Sequence, residues 1–107
     1  MTQDNFKNAI SEQVQRSLDL LISKGKEYDG NHGDRLLSFK VAGALAGKGQ
    51  VQALAGMMAK HTVSIYDMCE NPMAYSNEKW NEKITDHINY LLILRAMIAE
   101  DREVKGQ

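Results

Sequence analysis

NEKWNEKITDHINYLLILRAMIAEDR, residues 77–102, is the stretch that decides the fold. Trp80, Ile84, Ile88, Leu91, Leu92 and Met97 or Ile98 fall at helical spacing. The spacing predicts one long helix from a start at Ser76 or Asn77, both good capping residues, to about residue 102. The last few residues are expected to fray.

Working back from this helix, Pro72 stops a helix predicted over about 50–69, whose apolar side carries Val51, Leu54, Met58, Ile65 and Met68. The break Gly47-Lys48-Gly49 separates it from a shorter helix, 34–46, capped by Asp34 and rich in Leu36, Leu37, Phe39, Val41, Leu45 and alanine. Being apolar almost all round, that helix is expected to be buried. Before it lies Gly25 to Gly33, a polar glycine-rich loop. The first helix, 4–24, has Asp4 as its cap, Gly25 as its stop, and a stripe of Phe6, Ile10, Val14, Leu18, Leu21 and Ile22.

These elements predict an all-α, four-helix bundle-like fold in one domain, 1–107, since a chain this short has room for a single modest core. The short link between the third and fourth helices makes them antiparallel neighbours. Small residues at Ala42, Gly43, Ala44, Ala46, Ala53, Ala55, Gly56 and Ala59 allow close packing within the chain or between subunits, and with so thin a core a homo-oligomer is expected.

Composition narrows the function classes. Thirteen Lys and Arg stand against fourteen Asp and Glu, a net charge of −1, so no field favours DNA, RNA or anionic lipid. The longest purely apolar run, Tyr90 to Leu94, is far too short to span a membrane. With a single cysteine, Cys69, no internal disulfide forms, and the first residues lack a signal-like apolar stretch, so a cytoplasmic location is expected.

The third and fourth predicted helices are the richest in chemistry. Lys60, Ser64 and Asp67 share one face, and Glu82, Asp86 and Asn89 another, with His61, Lys83, His87 and Tyr90 nearby. Two readings stand: the stripes line one cleft, or they are solvated faces with weak surface ion pairs. Magnesium would need converging carboxylates, for which Asp67, Glu70, Glu82 and Asp86 are the candidates. With a turn near residues 73 to 74, Lys60 and His61 come level with Asp86 and His87. Asp67 and Asp86 are then roughly 9 Å apart along the axis, which favours a Lys60–Asp86 ion pair over a shared cation. His32, His61 and His87 lack zinc spacing, and Cys69 beside Met68 reads as a small core hydrophobe. The loop Lys26 to Asp34, with Tyr28 and His32, suits a phosphate and a stacked base, or is a plain connector in which Tyr28 packs on the bundle.

Lys24-x-Lys26-x-Tyr28, Asp34, Phe39, Lys60-His61 and Trp80-x-x-Lys83-x-x-Asp86-x-x-x-Tyr90 together resemble small helical bacteriophage proteins of the nucleotide-modification-associated or MazG-like type, over roughly residues 24 to 95. The resemblance implies an often oligomeric bundle that meets nucleotides in a phage-infected host cell. MazG-type pyrophosphohydrolases hold Mg2+ with a Glu-x-x-Glu pair and a later Glu-x-x-Asp pair. The nearest equivalents, Asp67-x-x-Glu70 and Glu82-x-x-x-Asp86, depart from both. Other small oligomeric phage proteins, similar in size and build, act as sponges that sequester immune signalling nucleotides.

The leading expectation is a phage-type protein that sequesters a cyclic or ADP-ribose-like messenger, needing no cofactor, through Lys26, Tyr28, His32, Lys60, His61, Asp86 and Tyr90. The alternatives are a Mg2+-dependent nucleoside triphosphate pyrophosphohydrolase using Asp67, Glu70, Glu82 and Asp86, and a non-catalytic helical adaptor.

Overall fold

A computed structural model of the chain describes residues 1–27 and 33–104. The described elements are helices α1 (Gln3–Glu27), α2 (Leu37–Leu45), α3 (Gln50–Glu70) and α4 (Asn77–Val104), with a 3-10 turn at Pro72–Ala74 between α3 and α4. The fold is all-α, as the periodicity predicts, and no helix among the described residues is long and apolar enough to cross a membrane.

The ends differ from expectation for local reasons. Thr2 rather than Asp4 caps α1, its Oγ1 accepting the Asn5 N–H at 3.1 Å. The helix then runs through Gly25 to Glu27, a tolerable cost of about 1 kcal/mol for one interior glycine. Asp34 does not cap α2. Its Oδ1 accepts the Leu36 N–H at 2.9 Å, an Asx turn that delays the helix to Leu37. At α4 the expected cap is present, Ser76 Oγ accepting the Lys79 N–H at 3.1 Å.

The helices pack in the order α2, α3, α4, α1, and α1 touches only α4 among the described helices. Leu36, Leu54 and Met97 form the buried core, with Phe39, Val51, Met58, Tyr90, Ile93 and Leu94 around it. The α2 helix is not buried as its composition predicts: only Gly43 is inside, and Leu45 is 86% exposed. Gly43 has a specific reason to be glycine, because a Cβ there would lie 2.5 Å from the Gly49 carbonyl oxygen. That close approach lets the Lys48 N–H reach the Gly43 carbonyl at 2.7 Å and folds the α2–α3 turn back on itself. Gly47, in the left-handed region at φ +68°, completes the turn.

The α1–α4 seam is polar. Ser17 and Thr85, 1% and 3% exposed, let the two backbones come close. Gln13 Nε2 clips them, donating to Ser17 Oγ at 3.1 Å and Thr85 Oγ1 at 2.9 Å. The stripe Phe6, Ile10, Val14, Leu18 and Ile22 is therefore left facing solvent rather than the core.

The α3–α4 hairpin is antiparallel, with its register one turn away from the expected one. Gln50 Nε2 donates to Asp101 Oδ1 at 3.1 Å and the His61 and Tyr90 rings meet at 4.9 Å, so His61 is level with Tyr90 rather than His87. The 3-10 turn is the reason, since it carries the hairpin midpoint beyond residue 74. Trp80 locks this corner by donating Nε1–H to the Pro72 carbonyl at 2.9 Å and meeting Tyr75 edge-on.

Candidate ligand-binding site

The α1 helix packs on α4 but not on α2 or α3, and a recess of about 310 Å3 lies where the four helices converge. Leu20 and Leu21 of α1, Arg35 and Phe39 around the start of α2, His61 of α3, and Asp86, Asn89, Tyr90 and Ile93 of α4 line it. The site thus draws on every helix.

One wall is aromatic: the His61 and Tyr90 rings lie 4.9 Å apart at 50°, beside Phe39. Leu20, Leu21 and Ile93 add apolar surface, and the polar part of the lining is undersatisfied. Asn89 is 6% exposed, yet its Oδ1 has no hydrogen-bond partner, and neither does the buried His61 Nδ1. Asp86, one turn before Asn89, is half-buried and forms no ion pair or hydrogen bond within the described residues. Buried polar groups in folded proteins are nearly always paired, so two orphaned atoms on residues facing one recess call for an explanation. The Asn89 Oδ1 and His61 Nδ1 atoms are themselves covered, as are the unpartnered Gln50 Oε1 and His87 Nδ1 away from the recess, whereas the half-buried Asp86 carboxylate is an acceptor left unengaged among the described residues.

Arg35 stands at the rim, its Nη2 donating to the Leu21 carbonyl at 3.3 Å and tying α1 to the approach to α2. It also borders a larger, neighbouring recess of about 600 Å3 shared with Leu21, Ile93, Ala96 and Glu100. That second space lacks an orphaned buried polar atom, and two of its carboxylates are already engaged. Lys40 Nζ bonds Asp34 Oδ2 at 2.8 Å and Glu100 Oε1 at 3.0 Å, a clamp joining α2 to α4. The lysine hydrogen bond, with the Leu36 N–H adding to it, holds the Asp34 carboxyl below its ordinary value. Asp34 first and Glu100 next push the Lys40 ammonium above its own.

Of the residues expected from sequence to bind a ligand, His61, Asp86 and Tyr90 come together on this recess. Lys60 is exposed and does not line it, and the expected Lys60–Asp86 ion pair is not formed, because the register brings His61 rather than Lys60 to the α4 side. Tyr28 and His32 lie outside the described residues, as does the Lys26 side chain. Asp67, Glu70 and Glu82 are exposed, and no group of three or more His, Cys, Asp or Glu among the described residues could hold a metal ion. Cys69 is exposed rather than in the core, with Met68 turned inward instead.

Sequence reasoning missed Arg35, Phe39 and Asn89 as site residues. Asn89 had a readable signal, lying three residues from Asp86 and next to Tyr90. Arg35 had none, because its place depends on how α1 and the approach to α2 meet. Comparison with known protein families, curated proteins and solved structures gives no match.

Proposed function

We propose that this chain is a nucleotide-binding protein that holds its ligand intact, with the recess between α1, α3 and α4 as the site. The observation that carries this reading is the meeting of an aromatic wall with the unengaged Asp86 carboxylate in one recess, beside buried Asn89 and half-buried His61, whose covered Oδ1 and Nδ1 lack partners. A nucleobase matches both features: its π-face packs on His61 and Tyr90, and its edge groups satisfy Asn89 and Asp86. A recess of about 310 Å3 is at the low end for ligand sites and accommodates one base with its sugar. Phosphates then lie at the mouth, where the Arg35 guanidinium supplies the cation. A larger messenger is held by one nucleoside end.

The resemblance to phage proteins that sequester immune signalling nucleotides orders the candidates, with cyclic and ADP-ribose-like messengers first. Sequestration needs a pocket and no catalytic base. The pyrophosphohydrolase reading needs carboxylates gathered around Mg2+, and only Asp86 of its four reaches the recess.

The test incubates the protein with AMP, ADP-ribose, ATP and a cyclic dinucleotide in the presence of Mg2+, removes unbound material, then heats the protein and chromatographs what is released. Intact ligand on denaturation is expected, with retention falling at least tenfold in Asp86→Ala, the loss of about 1.4 kcal/mol. New products establish the hydrolase instead, and no retention of any probe leaves the adaptor reading.

A further inference from the structure

We infer that the exposed face of α1 is a self-association surface, on which a second copy of this chain packs its own α1 antiparallel across a two-fold axis at Val14. The inference is independent of the ligand reading. Phe6, Ile10, Val14, Leu18 and Ile22 are between 42% and 58% exposed, yet they form an unbroken row at four-residue spacing. Such a row ordinarily marks the face a helix buries. Here α1 instead rests on α4 through Gln13, Ser17 and Thr85, so the apolar row is surplus to the monomer's own packing. At about 100° per residue each four-residue step turns by about 40°, so the row slants across the helix, and two such rows interlock around Val14, through Ile10 and Leu18, with the helix axes crossing at about 50°.

The bulk dimensions agree. The chain exposes 7739 Å2, against about 6,000 Å2 for a compact protein of its mass. Its radius of gyration is 16.2 Å, against about 13 Å for a compact domain of this length. A surplus of this order on each of two copies is the area that a permanent homodimer buries, commonly above about 2,000 Å2 in total.

A second copy fits better than another occupant. The row is symmetric about Val14, so a two-fold axis there sets Ile10 against the partner's Leu18. Residues 3–14 contain Asp4, Lys7 and Glu12, a net charge of −1, and residues 15–27 contain Arg16, Asp19, Lys24, Lys26 and Glu27, a net charge of +1. Antiparallel pairing opposes these halves, and it also aligns the two helix dipoles favourably. The helix as a whole is neutral, unlike the Lys- and Arg-rich amphipathic helices that lie on anionic membranes.

The test measures mass in solution by light scattering and then maps the seam by cysteine cross-linking in a Cys69→Ser background. The parent is expected at twice 12.0 kDa, and Val14→Asp with Leu18→Asp at the single mass with helicity retained. Under mild oxidation Val14→Cys should cross-link to itself, while Ile10→Cys and Leu18→Cys should each stay single and cross-link when mixed. A parent of single mass, a variant that keeps the double mass, or Ile10→Cys cross-linking to itself as readily as Val14→Cys would each overturn the arrangement. Should the double variant unfold, the cross-linking pattern decides alone. Sedimentation of the parent with anionic phosphatidylserine vesicles, with no double mass in their absence, counts against it and for a lipid surface.

Discussion

Replacing Asn89 with leucine should make the protein more stable and less able to hold a ligand. Asn89 is 6% exposed and its Oδ1 has no partner, so the folded state carries the desolvation cost of that acceptor, about 1–3 kcal/mol. Leucine removes the cost, and its extra volume has somewhere to go because the side chain borders a recess of about 310 Å3. Filling that space with apolar atoms adds to the gain rather than straining the helix packing. With an unfolding entropy of about 2.1 cal/mol/K per residue, each kcal/mol moves Tm by about 4 °C in a chain of 107 residues. Asn89→Leu should thus raise Tm by roughly 4–13 °C, measured by thermal melts at one fixed protein concentration, with the urea m-value unchanged. The same variant should lose nucleotide retention. A fall in Tm would mean that Asn89 is satisfied in the folded protein, and a stabilised variant that still retained ligand would separate the orphaned amide from binding; either result refutes the reasoning.

Other perturbations test the frame around the site. Leu54→Ala empties a fully buried position in the Leu36–Leu54–Met97 cluster and should cost about 2–5 kcal/mol in urea denaturation, a large share of a small domain's stability. Gly43→Ala drives a Cβ against the Gly49 carbonyl and should lower stability by about 1–3 kcal/mol, whereas Gly56→Ala, with open space around its Cβ, should raise it slightly. The Lys40 clamp predicts a pH signature. Because the Asp34 carboxyl is held low, its contribution is present above the ordinary carboxylate range near about pH 4 and is lost as pH falls through the lowered value. Because the Lys40 ammonium is held high, its contribution persists below about pH 10 and is lost as pH rises through the raised value. The stability difference between the parent and Lys40→Met should therefore be greatest around neutrality and shrink at both extremes in pH-dependent melts. A nucleotide at a hundredfold its Kd should raise the parent's stability by about 2.7 kcal/mol.

The helices were legible because their signal is periodic and local. Trp80, Ile84 and Ile88 declare α4 without reference to any other part of the chain, and Pro72 and the Gly47–Gly49 break mark boundaries that the structure keeps within a few residues. What was not legible depends on relations between elements. The one-turn error in the α3–α4 register came from the 3-10 turn at Pro72–Ala74, whose extra length no spacing announces. The α1 stripe looked like a core face, and nothing in its period tells that Ser17 and Gln13, rather than Leu18 and Val14, meet α4. The α2 helix looked buried from its composition, yet packing against α3 along one narrow strip leaves Val41 and Leu45 outside. The site follows the same division. His61, Asp86 and Tyr90 stood out because polar residues on an otherwise amphipathic pair of helices are conspicuous. Arg35 and Phe39 reach the recess only through the path of the chain into α2.

The most direct test of the account is a nuclear magnetic resonance titration of the isotope-labelled protein with AMP and ADP-ribose, following the backbone amides. If the recess is the binding site, the largest saturable shifts fall at His61, Asp86, Asn89, Tyr90 and Phe39, and they vanish in Asp86→Ala. Saturable shifts confined to another surface, or none with any nucleotide tried, would contradict it.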